Sequence, residues 1–192
     1  MLPHIGDIDV MYHRRDEMSI PRGQSPPTQL GLPAEFHNNV QVFEIIDDRY
    51  FPGYVYLVLR YLLRKCSDGV KATEFEDERL FLSHPKYVIR QSFEVDEVDD
   101  VPCLRCLVWL TQAADWPTRH RKYGWPDSAT VDHVVRNGCD VVAIAHRQCR
   151  QDEWMSEHQW RLSFSRAEIA LAKQLDASTA DCLSHVTSFH ED

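Results

Sequence analysis

Gly6-Asp7-Ile8-Asp9-Val10-Met11-Tyr12, close to the N-terminus, decides how the rest of this 192-residue chain is read. Apolar Ile8 and Val10 alternate with Asp7 and Asp9, the period-two pattern of a half-buried strand. Residues i and i+2 of a strand share a face, so Asp7 and Asp9 stand side by side while Ile8 and Val10 turn to a core. Adjacent carboxylates repel, and a protein that keeps them together commonly supplies a cation. Hard oxygen donors at this spacing suit Mg²⁺ or Mn²⁺. The competing reading of the same residues is an edge strand with a polar outer face.

Composition bounds the answer. Hydrophobic residues make up 43% and charged residues 27%, the balance of an ordinary globular protein with a core of one domain. The net charge of −9 argues against a surface built to neutralise nucleic-acid phosphates. It speaks against double-stranded DNA as a partner and leaves RNA open, since Arg119, Arg121 and Lys122 form a small basic cluster. Cys103 and Cys106 alone have a C-x-x-C spacing, but on a strand i and i+3 face opposite sides. Six reduced cysteines with no signal peptide indicate a cytoplasmic protein. No apolar run approaches the roughly 20 residues of a membrane span.

Along the chain, residues 16–33 are broken by Pro21, Gly23, Pro26, Pro27, Gly31 and Pro33 and read as a loop. Val40–Ile46 and Tyr54–Leu59 read as strands, and residues 62–71 as either strand end or loop. Residues 75–83 fit a short helix or turn. Tyr87–Phe93 and Val95–Trp109 are further strands, the second carrying Pro102, which suits a strand end or bulge. Asp127 caps a helix over Ser128–Asn137 that Gly138 stops. Asp140–Ala145 is an apolar strand. Trp160-Arg161-Leu162-Ser163-Phe164-Ser165 alternates again, and Ser165 with Glu168 reads as a capping box for a helix through Leu175, after which the tail is polar. Trp125 and Trp160 read as core residues.

Gly6-Asp7-Ile8-Asp9-Val10-Met11, Val98-Asp99-Asp100-Val101-Pro102-Cys103-Leu104 and Trp160-Arg161-Leu162-Ser163-Phe164-Ser165-x-x-Glu168 together resemble the Mab-twenty-one-like family. That family includes cyclic GMP-AMP synthase and the animal synthase-like receptors. Tyr123-Gly124-Trp125-Pro126 and Val141-Val142-Ala143-Ile144 support the resemblance, which spans about Gly6 to Leu175.

The resemblance implies an α/β (α+β) fold: a nucleotidyltransferase-like mixed, twisted sheet with flanking helices, plus the first helix of a helical lobe. It divides the chain into a partial core over 1–165 and the start of the lobe with a polar tail over 166–192. It implies that Asp7, Asp9 and Asp99 hold Mg²⁺ or Mn²⁺ and are the catalytic triad, with Asp99 selected from the acidic run Glu94–Asp100 by the Val101-Pro102 match. Two metals roughly 4 Å apart can activate a hydroxyl and stabilise a pyrophosphate leaving group. Arg161, Ser163 and Ser165 are implied nucleotide contacts, a planar guanidinium fork beside two hydroxyls. Arg147 stands where some relatives carry a pocket lysine. Read without the resemblance, Ser165 is a helix cap and Ser163 a strand residue facing water.

The histidines and cysteines lack tetrahedral ligand spacing, and the family's zinc insertion has no counterpart, so no zinc is expected. Only Met1–Ile5 precede Gly6, leaving no place for the Gly-Ser phosphate cradle of catalytic relatives. The chain is therefore expected to be truncated at both ends and inactive by itself. Two functions follow: a metal-dependent synthase of a nucleotide second messenger from ATP and GTP, acting in innate immunity, or a non-catalytic regulatory or developmental protein working through protein contacts.

Overall fold

A computed structural model of the chain describes residues 8–29, 38–77, 79–83, 89–92, 97–121, 124–143 and 158–175, with the backbone alone at 8–10, 89–92 and 97–100. Eight strands carry most of the structure: β1 (Ile8–Pro21), β2 (Asn39–Asp47), β3 (Tyr54–Cys66), β4 (Gly69–Glu74), β5 (Ile89–Ser92), β6 (Glu97–Cys106), β7 (Cys139–Val142) and β8 (Gln159–Ser163). They form one sheet in the order β1-β2-β3-β8-β7-β6-β5, with β4 on the flank of β3. β1 also pairs with β6, so the path returns to its start. Pairing is mixed: β1 runs parallel to β2 and β6, whereas β2–β3, β3–β4, β3–β8 and β5–β6 are antiparallel. Helices α1 (Ser128–Asn137) and α2 (165–175) and a short 3-10 turn at Thr111–Ala113 are helical segments among the described residues, giving an α+β architecture.

Two compact units result. The first combines Met1–Cys106 with Asp140–Leu162, and the second Leu107–Cys139 with Ser163–Asp192. In the first, Val40, Val42, Val55, Leu57, Leu63 and Trp160 are buried to 2% exposure or less. Trp160 is the largest of these side chains, and its indole N–H donates to Leu82 O at 3.0 Å. In the second unit, Val131 and Val134 point inward from α1. This helix is the most local of the elements. Thr130 N–H donates to Asp127 Oδ1 at 2.7 Å, and Gly138 ends the helix at a φ of 68°, a conformation that favours glycine.

Several expectations from the sequence change. Residues 16–21 are strand, because β1 continues through its charged middle to pair with β2 over Glu17–Pro21. Residues 62–66 complete β3, and Cys66 pairs with Gly69 across a two-residue turn that begins β4. Of the two readings for 75–83, the described residues take the turn, with Leu80 N–H donating to Asp77 O at 3.4 Å, and Phe81 bridges to Val58. Pro102 lies inside β6, opposite Tyr12 of β1, and its carbonyl accepts from Ala143 N–H at 3.1 Å. The antiparallel partner β5 reaches only Asp100, so Pro102 removes no donor from that ladder. Cys103 and Cys106 are both fully buried, so both faces of β6 are covered there. Trp125 is 43% exposed and is not a core residue. Strands expected at 87–93 and 140–145 are observed as β5 and β7, with residues 87, 88, 93, 144 and 145 outside the described set.

Two carboxylates in the sheet unit oppose each other in pH dependence. Burial raises the Glu17 carboxyl above its ordinary value of 4.5, outweighing Arg14 at 2.8 Å, while Asp16 adds to the rise. Burial also pushes Asp48 up, but hydrogen bonds from Tyr50 N–H, Gln159, Phe51 N–H and Tyr56 together hold it below its ordinary 3.8. Glu17 thus contributes stability that is full below pH 4.5 and lost as pH rises through its folded value. Asp48 contributes stability present above pH 3.8 and lost as pH falls through its folded value. Urea titrations from strongly acidic to neutral pH should show Asp48→Asn losing ground to the wild type as pH rises toward 3.8, and Glu17→Gln gaining on it as pH rises above 4.5. At neutral pH, Trp160→Ala should cost about 3–5 kcal/mol, whereas Trp160→Phe, which keeps most of the packing, should cost less.

Candidate functional site

The strand pair β1–β6 gives the site its frame. Ile8↔Val98, Asp9↔Asp99, Val10↔Asp100 and Met11↔Val101 are register partners, so the backbone sets Asp9 and Asp99 directly opposite each other on adjacent strands. Asp100, the neighbouring acid, falls opposite Val10. On its other side Asp99 is registered with Arg90 of β5, a position that sequence reasoning did not single out. Arg90 lies in a short polar strand, and only the hairpin pairing with β6 brings it to Asp99. Asp7 and Arg147 lie outside the described residues. Among the described residues no group of three or more His, Cys, Asp or Glu side chains is arranged to hold a metal. The expected triad is not within that set, since Asp7 is outside it and Asp9 and Asp99 are described by backbone alone.

A small core supports the pair. Val101 and Cys103 of β6 are buried with Val142 of β7, and Met11 of β1 packs against them. One residue pair beyond, His13 Nε2 lies 2.9 Å from Asp140 Oδ1. Asp140 has no exposed surface, and a carboxylate so placed needs a polar partner. His13 is registered with Cys103 of β6, while Asp140 sits on β7, so the contact reaches across β6 and ties β1 to β7. No sequence signal marks this pairing, because its partners are 127 positions apart.

Arg161 of β8 is half-buried and registered with Tyr54 of β3. In sheet order β7 separates its strand from β6, which carries Asp99. The structure thus groups Asp9, Asp99 and Arg161 in one sheet, with the two aspartates adjacent and the arginine two strands from Asp99.

Ser163 and Ser165 belong to the second unit, and their roles differ from the expected ones. Ala167 and Glu168 N–H groups both donate to Phe164 O, at 2.8 and 3.1 Å, so Phe164 occupies the cap position of α2 and Ser165 is its first residue. There is no Ser165–Glu168 capping box. Ser163, buried to 9% exposure rather than facing water, accepts from Ser165 N–H at 3.4 Å, and the two hydroxyls bond to each other at 2.9 Å. Ser163 takes this role because it precedes the first free N–H groups of the helix and is held against the interior by β8. Ser163→Ala removes both of these bonds and Ser165→Ala only one. Hydrogen exchange at the N-terminus of α2 should therefore accelerate more in Ser163→Ala, with a stability loss of about 1 kcal/mol against a smaller one for Ser165→Ala.

No curated protein is a significant match to the chain. A family model, the Mab-21 protein nucleotidyltransferase domain, matches residues 63–174, more than half of the chain. The match takes in β6 with Asp99, the α1 segment and Arg161 through most of α2, and does not extend to Asp7 and Asp9. With Asp99 on β6 and the Arg-x-Ser-x-Ser run from β8 into α2 both inside those limits, the chain belongs to the Mab-21 nucleotidyltransferase-domain family.

Proposed function

We propose that this chain has the nucleotidyltransferase fold and carries the metal-binding strands of a nucleotidyltransferase that joins NTPs, ATP and GTP among them, into a nucleotide second messenger in the cytoplasm as part of innate immune signalling. The observation that carries the reading is the β1–β6 register, in which Asp9 and Asp99 are partners although they are far apart in the chain. Two aspartates at matching positions of adjacent parallel strands, with Asp7 two residues before Asp9 in sequence, would offer an all-oxygen donor set of the hardness Mg²⁺ and Mn²⁺ require.

Asp7, Asp9 and Asp99 would hold the ions. When bound, such a metal pair activates an attacking hydroxyl and stabilises a departing pyrophosphate. The chain's own residues would do the rest. Arg161 offers a planar fork of donors to a phosphate or a base edge. The Ser163 and Ser165 hydroxyls, although bonded to each other, each retain capacity for one further hydrogen bond to a nucleotide. Arg147 would add a second guanidinium. Arg90, registered with Asp99, contributes positive charge at the next strand, where it would offset carboxylate repulsion before the ions arrive.

Titration with Mn²⁺, followed by electron paramagnetic resonance, tests the reading. Asp9→Asn and Asp99→Asn should each weaken binding at least about tenfold, and Asp100→Asn, whose register partner is Val10, should leave it unchanged. Equal affinity in all four proteins would remove the metal site and favour a non-catalytic regulatory role through protein contacts. Incubation with Mg²⁺, ATP and GTP, read by mass spectrometry for linear or cyclic dinucleotides, reports the chemistry directly.

A further inference from the structure

Within the second unit lies a cavity of about 350 Å³ that the nucleotidyl-transfer reading does not use. Its wall is aromatic. Trp109 lies 5.5 Å from Trp116 at a 41° tilt and 5.2 Å from Phe164 at 56°. The Trp109 indole N–H donates to Ala113 O at 2.8 Å, which fixes that ring in place and satisfies its polar atom. All three rings are half-buried, with the remainder of their surface open to the cavity or to solvent. At the rim stand the Asp115 and Glu168 carboxylates, both exposed and neither with a side-chain partner among the described residues. Arg119 is the one cation among the described lining residues, so the rim is net negative.

Such a wall and rim select charge. Aromatic faces attract cations by their quadrupole, and the attraction grows as the cation loses water. This unit already demonstrates it: the Arg121 guanidinium sits 5.0 Å from the Trp116 ring centroid while donating to Trp116 O at 2.7 Å. A nucleotide would also stack on these rings, but its phosphates would meet the Asp115 and Glu168 carboxylates, while Arg121 spends its guanidinium N–H groups on the Trp116, Pro117 and Arg119 carbonyls. The volume falls in the range of small-ligand pockets. A group that is apolar on its surface and positive overall satisfies both halves of the site.

We propose that this pocket binds an alkylated ammonium or guanidinium group, with Trp109, Trp116 and Phe164 as its wall and Asp115 and Glu168 as its counter-charge. The group could arrive as a free quaternary amine or as the methylated side chain of a partner polypeptide, since the recognising chemistry is shared. The proposal is independent of the metal site.

Calorimetric titration of the full chain tests it with four probes: choline, its neutral isostere 3,3-dimethylbutanol, a short peptide carrying trimethyllysine, and AMP. Choline or the methylated peptide should bind at least about tenfold more tightly than the isostere. The tighter of the two identifies a free cation or a side chain as the ligand source. The double variant Asp115→Asn, Glu168→Gln alters exposed side chains only and should lose at least about tenfold in affinity, whereas Arg119→Gln should gain. The proposal is overturned by any of three results: no cation binding at millimolar concentration, equal binding of the isostere, or tighter binding of AMP than of either cation. Cation affinity that ignores the double variant would do the same.

Discussion

The described sheet depends on one strand serving two ladders. β1 pairs in parallel with β6 over Ile8–His13, shifts register between His13 and Met18, and then pairs with β2 over Glu17–Pro21 while still touching β6 at Met18 and Ser19. A fourteen-residue strand cannot hold both neighbours flat along its whole length, because successive strands rotate against each other. The register shift absorbs that rotation. It also closes the strand order onto itself, so β1 and β6 are not left as bare edges.

That closure bears on the site. Register on the first half of β1 decides which acid of the run before Val101 meets Asp9, and a slip of one residue would substitute Asp100 for Asp99. What holds the register is apolar: Met11, Val101, Cys103 and Val142 interlock just beyond the acidic positions. The His13–Asp140 contact adds a polar tie across β6. The backbone positions of Asp9 and Asp99 are thus set by apolar and polar neighbours further along the same strands.

The two units carry different physical characters. The sheet unit concentrates its acids on strands and buries aliphatic residues and Trp160 between them. The second unit gathers Trp109, Trp116 and Phe164 into an aromatic group beside α2. Tilted ring pairs at 5.2 to 5.5 Å contribute beyond their buried area, yet part of their surface is not spent on packing. A hydroxyl pair, Ser163 and Ser165, starts α2 there, so the residues expected on the nucleotide also organise the backbone of their own unit.

Local chemistry was legible in the sequence by itself. The α1 boundaries follow from Asp127 and Gly138, whose bonds reach only three or four residues, and the strands β2 and β8 follow from alternation. The family was readable too, because motifs at Asp7–Asp9, Asp99 and Trp160–Ser165 keep their order whatever the fold does between them. Tertiary structure alone decided the rest. Arg14-Arg15-Asp16-Glu17 has no strand pattern, and is strand because it joins the β6 ladder, which runs to His13, to the β2 ladder, which begins at Glu17. Ser165 has the ideal cap signature, but Ser163 takes that work because its strand delivers it there buried. Trp125 and Trp160 are alike in sequence terms, and only packing leaves the first exposed and buries the second. The pairing of Asp9 with Asp99, and of His13 with Asp140, is long-range register, which no local propensity encodes and only the closed sheet can set.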